Sequence, residues 1–101
     1  MQLLTKEIRE RLPELGATEH MRDPEAQVKF FTPWSQWTWY GVEYDGEDIF
    51  FGLVQGLEEE LGYFSLNELE SARGPFGLRI ERDIGFKPTR LSQVRQYGRP
   101  A

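Results

Sequence analysis

Nine of the chain's fourteen aromatic residues fall between Phe30 and Val54, in FFTPWSQWTWYGVEYDGEDIFFGLV, and no lysine or arginine interrupts them. A stretch that dense in rings and β-branched residues has to be sheet, and Asp45-Gly46 marks where it folds back. A two-residue type I′ turn needs positive φ at both central positions, which Asp followed by Gly tolerates well. That turn predicts a hairpin in which Tyr44 faces Glu47, Glu43 faces Asp48, Val42 faces Ile49, Gly41 faces Phe50, Tyr40 faces Phe51 and Trp39 faces Gly52. The period of two then places Tyr44, Val42, Tyr40, Thr38, Ile49, Phe51 and Leu53 on one face. Trp37, Trp39, Phe50 and Val54 take the other, with Glu43 and Asp48 near the turn. Neither face is polar, so both call for cover. The expected pairing of each glycine with a ring, Gly41 with Phe50 and Gly52 with Trp39, supports this register, because a ring shields backbone that glycine leaves bare.

The flanking segments supply candidate cover. Leu4, Ile8, Leu12 and Leu15 form one helical stripe, predicting an N-terminal helix over 1–15 capped by Thr5 and stopped by Pro13. Residues 16–25 read as a loop. It holds the only histidine, His20, which lacks the converging partners that a metal or acid–base site needs. Residues 26–31 read as a first strand, Pro33-Trp34 as a turn that leaves Trp34 exposed, and 61–64 as a fourth strand of an antiparallel meander. Ser65-Leu66-Asn67-Glu68 is a capping box for a helix to about Ala72, stopped by Gly74-Pro75. Residues 78–82 alternate as a fifth strand. A last helix runs from Pro88-Thr89 to about Tyr97, closed by Gly98, with Leu91 and Val94 inward and Arg90 and Arg95 outward. The fold class is α+β: one domain over residues 1–101, a central antiparallel meander of about four to five strands flanked by short helices.

Charge narrows the function classes. The net charge is −5, but residues 30–72 carry nine acidic and no basic side chains, while residues 73–101 carry seven basic and two acidic ones. The plainer reading has the basic end packing beside the acidic sheet; the sharper one gives each patch its own partner. With no cysteine, disulfides, thiolate metal sites and cysteine nucleophiles are excluded, which suits a reducing cytoplasm. No apolar run is long enough to span a bilayer and no leader pattern opens the chain, so a cytoplasmic location without membrane association is expected. Phosphate-binding glycine loops are missing, and no cofactor is expected.

Two constellations carry candidate chemistry. Glu43, Asp45, Glu47 and Asp48 gather at the expected hairpin tip, where like charges facing across strands repel. They suit a divalent cation, a basic partner, or simply a solvated tip. The tryptophans Trp34, Trp37 and Trp39 suit a protein partner as anchors, an unpaired nucleobase by stacking, or the core. Nucleobase stacking needs a basic groove, which Arg73, Arg79 and Arg82 would have to build along the platform edge; with Arg90 and Arg95 they make up the C-terminal basic patch.

The strings DPEAQVKFFTPW, WTWYGVEYDGEDIFFGLVQG, ELGYFSLNELESARGPFGL and ERDIGFKP resemble the small bacterial proteins grouped as domain of unknown function 2958. The resemblance runs from LLTKEIRERLP to about Pro88. It implies an accessory role among plasmids and other mobile elements, and it transfers no functional residue. The reading that follows is a binding or regulatory module rather than an enzyme, whose acidic, aromatic-rich sheet meets a basic protein such as a nucleic-acid-binding protein by imitating nucleic-acid charge. The acids of the tip and Glu58–Glu60 would then form an elongated patch, roughly 20 Å or more from end to end at the usual strand rise. The competing classes are a metal-assisted hydrolase or nuclease using the 43–48 carboxylates, and a single-stranded nucleic-acid binder using the platform and the C-terminal arginines.

Overall fold

The hairpin at the centre exists, but a β-bulge at Val42 and a longer turn reset its register. In the computed structural model, which describes residues 2–97, strands β3 (Thr38–Tyr44) and β4 (Ile49–Gln55) pair Tyr44 with Phe50, Glu43 with Phe51, Gly41 with Gly52, Tyr40 with Leu53 and Trp39 with Val54. The two-residue turn is therefore corrected to a four-residue loop, Asp45–Asp48. The Asp45 carboxylate accepts from three successive amides, those of Glu47, Asp48 and Ile49, and the Asp45 N–H closes the loop on the Ile49 carbonyl at 2.9 Å. Gly46 supplies the positive φ of 89°.

The bulge depends on glycine. A Cβ at Gly52 would lie 1.8 Å from the Tyr40 carbonyl oxygen, so only a residue without one lets the strands close here. Trp39 and Gly52 are not cross-strand neighbours, which overturns the ring-over-glycine pairing expected for them. The Phe50 ring does lie 3.0 Å from where a Gly41 Cβ would stand, although Phe50 is not its direct partner. Beyond the bulge Tyr44 shifts to the Phe50 face, stacked on Phe50 at 4.5 Å between centroids.

The main sheet is antiparallel in the order β5-β4-β3-β2-β6, adding β2 (Val28–Phe31), β5 (Glu59–Ser65) and β6 (Glu81–Arg82). A second sheet pairs β1 (Glu25–Ala26) with β7 (Thr89–Arg90). The expected first strand is thus divided at Gln27, where the chain passes from one sheet to the other while Gln27 N–H still bonds the Gly41 carbonyl. The fourth strand starts two residues earlier than expected. The fifth shrinks to two residues, with Ile80 buried and Leu78 exposed. Helix α1 spans only Lys6–Arg11, capped by Thr5 as its position suggested. Leu12 is extended ahead of Pro13, as a residue before proline prefers, and Leu15 is left exposed. Helix α2 (Leu66–Ser71) starts at the Ser65 cap, and α3 (Leu91–Tyr97) begins after β7 rather than at Pro88. Its expected stop, Gly98, lies outside the described residues.

Both sheet faces are covered. One carries Val28, Phe30, Tyr44, Phe50 and Phe64 under Leu4 and Leu12 from around α1 and Leu66 and Leu69 from α2. The other carries Ala26, Tyr40, Val42 and Leu53 under Leu91 and Val94 of α3. The architecture is α+β, and no helix of the described residues is long and apolar enough to cross a membrane.

Candidate functional site: a tryptophan cleft

Bringing β2 and β3 together places Trp34, Trp37 and Trp39 around one cleft. Thr32 fastens the connection: its N–H donates to the Trp37 carbonyl at 3.0 Å, its hydroxyl accepts from Trp37 N–H at 3.2 Å, and Ser35 N–H returns to the Thr32 carbonyl. Two glycines seat the rings. A Cβ on Gly74 would strike the Trp34 ring at 2.3 Å and one on Gly56 the Trp37 ring at 2.5 Å, so each indole lies against bare backbone. Trp37 stacks on Trp39 with centroids 5.9 Å apart at 28°. Trp34 is half-buried rather than exposed as expected; Trp37, at 40%, is the accessible one. The cleft measures about 470 Å³, with Phe64, Leu69 and Ile80 also in its lining and Thr32, Ser35, Ser65 and Glu68 as its polar side chains. Glu68 enters the sequence reading only through the capping box, with no site role, although that box places it in the first turn of the helix that lines the cleft.

The carboxylates do not gather as expected. Glu43 faces Phe51, not Asp48, and is 3% exposed, accepting from Gly16 N–H and Thr18 N–H at 2.8 Å each and from the Thr18 hydroxyl. Burial alone raises its carboxyl, but the Thr18 and Gly16 donors outweigh that and hold it below the usual carboxylate value. Asp48 accepts from the Ser65 hydroxyl and the Asn67 amide at the start of α2. The Asp48 and Glu47 amides, with that of Ile49, hold the Asp45 carboxyl low against its slight burial. Only Glu47 of the four is exposed with no internal acceptor role found among the described residues. Likewise, no group of three His, Cys, Asp or Glu among those residues converges as metal ligands would. Glu43, Asp45 and Asp48 are structural acceptors.

Of the five arginines only Arg82 lies in a strand of the main sheet, the edge strand β6, opposite Phe30. Arg73 caps the end of α2 through the Glu70 and Ala72 carbonyls, and Arg82 donates to the Gln2 and Leu3 carbonyls, pinning the N-terminal segment. Arg95 reaches Glu59 at 3.4 Å, while Arg79 and Arg90 are exposed. None of these five arginines lines the tryptophan cleft.

A second concavity, about 510 Å³, lies on the α3 face between residues 18–24 and β5, where Phe51, Leu61 and Tyr63 meet Met21 and Leu91. Its loop wall is tied at one end by Thr18 to Glu43 and at the other by Asp23. That carboxylate accepts from both the amide and the hydroxyl of Ser92, and these bonds hold it below its ordinary value. Sequence reasoning put Phe51 on this face but missed the groove, since the bulge alone turns Glu43 toward it.

No curated protein and no solved structure showed a significant match. A family model described as Protein of unknown function (DUF2958) matches residues 3–100, further along the chain than the quoted strings, and the chain belongs to that family.

Proposed function

We propose that the protein is a binding module that takes a basic side chain of a protein partner into the tryptophan cleft. The observation that carries this reading is the meeting of Trp34, Trp37 and Trp39 around one open cleft with a carboxylate, Glu68, in its lining. Indole faces attract cations, contributing about 0.5–2 kcal/mol depending on exposure, with arginine the commoner guest. The exposed acids Glu47, Glu58, Glu60, Glu68 and Glu70 add a field that draws a basic partner in. Nucleic-acid-binding proteins are the partners with the fitting surface charge, and the accessory role suggested by family resemblance is compatible with them. Phosphate imitation is a weaker part of the reading, because Glu43, Asp45 and Asp48 spend their oxygens internally and Arg95 covers Glu59.

Tryptophan emission titrated with an arginine-rich peptide tests the reading. Saturable binding is expected, weakening as salt shortens the reach of exposed charges. Trp37→Ala and Glu68→Gln should each weaken it by about 5- to 10-fold, in line with one desolvated cation–π or ionic contact. Binding that is absent, or indifferent to both substitutions, would send the function elsewhere.

A further inference from the structure

Phe76 is the most exposed large apolar side chain among the described residues, at 103%. A single exposed apolar residue is ordinary. This one is also the only non-glycine residue among those described at positive φ, 57°, where a bulky side chain is an outlier. Backbone bonds close the turn that imposes the angle: Gly77 N–H donates to the Gly74 carbonyl at 3.2 Å, Leu78 N–H to the Pro75 carbonyl at 3.1 Å and Gly74 N–H to the Leu78 carbonyl at 2.7 Å. With proline at its second position, such a turn ordinarily gives the third to glycine. Here glycine comes one place later, at Gly77, and the phenyl ring is held out on a hydrogen-bonded support. Strain retained under a displayed side chain points to a role for that side chain.

Charge and position say what the ring meets. The tip is cationic: Arg73 and Arg79 flank it with no acid between Glu70 and Glu81, and Arg79 is exposed with no hydrogen bond or ion pair among the described residues. The tip also grows out of the tryptophan cleft. Ala72 before it and Ile80 after it line that cleft, and Gly74 lies against the Trp34 ring. The cleft is the tip's chemical complement, with indole and aliphatic walls and Glu68 as its only charged lining residue among those described. The Glu68 carboxylate accepts from no group among the described residues. Fully exposed as it is, the Phe76 ring does not enter the cleft of its own copy.

We infer that the Phe76 tip of one copy docks into the tryptophan cleft of a second, with Phe76 against the indoles and Arg79 beside Glu68, about a two-fold axis that returns the contact. The inference rests on the reading of the cleft as a site for a basic side chain, and it supplies a regulation of that site. Because tip and cleft are neighbours on one chain, a two-fold arrangement satisfies both at once and closes as a dimer rather than growing into a filament. The local charges favour this occupant: a cation and a carboxylate that each lack a partner within one copy meet across two. Aromatic and arginine side chains are also the enriched anchors of protein interfaces. The net charge of −5 opposes association and makes it a weak one. Since the dimer fills both clefts, a basic partner has to displace the tip, and self-association keeps the cleft closed until one arrives.

Sedimentation velocity between about 1 and 500 µM should show a monomer–dimer equilibrium, weakened about tenfold or more by Phe76→Gly, the effect of losing one anchor residue. Glycine accepts the positive φ, so the urea midpoint of this variant should be unchanged or higher, which separates a lost contact from a lost fold. Arg79→Glu and Glu68→Arg should each weaken the dimer to a similar extent. An equimolar mixture of the two should restore it, because each tip then meets a cleft of opposite sign. A chain monomeric throughout overturns the proposal, as does a dimer indifferent to Phe76→Gly or a mixture no more associated than its components. Tryptophan emission with an arginine-rich peptide tells this failure from failure of the cleft reading. Phe76→Gly should bind the peptide at least as tightly as the unmodified chain, since no tip competes for its cleft. Peptide binding without a dimer overturns self-docking alone; a dimer that passes these tests without peptide binding leaves self-docking standing and removes the foreign guest.

Discussion

Glu43 offers the sharpest test of how the fold is held, because its side chain ties β3 to a loop 25 to 27 residues away. Replacing it by alanine removes one acceptor from three donors, the Gly16 and Thr18 amides and the Thr18 hydroxyl, at a residue 3% exposed. Hydrogen bonds to a charged group contribute about 1.5–3 kcal/mol each, but the freed donors sit on a loop that turns partly to water, so the terms do not add. The expected loss is about 2–4 kcal/mol, a large part of the roughly 5–15 kcal/mol that stabilises an ordinary domain. The melting midpoint should fall by about 10–30 °C.

The pH dependence has a definite sign. The folded carboxyl sits below its ordinary value, so the native state favours the ionised form. Its contribution is complete above the unfolded pKa, about 4.3, and is lost as pH falls through the lower folded value. The gap between wild type and Glu43→Ala, measured by urea titration of tryptophan emission, should therefore narrow from pH 7 toward acid. Amide exchange at Gly16 and Thr18 should accelerate in the variant at neutral pH. A gap under about 0.5 kcal/mol at pH 7, the range of ordinary surface substitutions, or one that widens on acidification, would refute the reasoning.

Two further substitutions probe the packing. Gly52→Ala drives a Cβ into the Tyr40 carbonyl, a backbone atom that cannot rotate away, and should cost about 3 kcal/mol or more by chemical denaturation; a cost near that of a surface Gly→Ala would mean that the bulge is not needed. Tyr44→Phe should be neutral or stabilising by about 1 kcal/mol, since the buried Tyr44 hydroxyl has no hydrogen-bond partner among the described residues, and a loss of more than that would reveal one.

The features legible in the sequence are those decided within a few residues of chain. Thr5 and Ser65 cap α1 and α2 because a hydroxyl reaches only the amide three positions on. Leu91 and Val94 turn inward because they share one face of one helix turn, and the antiparallel meander follows from apolar runs too short to be anything but strands. The three tryptophans were recognisable as a group, though not as a cleft. Asp45-Gly46 announced a turn but not its length, since a carboxylate that accepts from three amides outcompetes the two-residue geometry. The bulge at Val42 required Gly52 to meet Tyr40 across the sheet, and with it went the face of Tyr44 and the partner of Glu43. Glu43 looked like one of four repelling acids because its donors, Gly16 and Thr18, are neighbours only after folding. Local spacing determined which elements form; contacts between distant segments decided the register, and the register decided which side chains share a site.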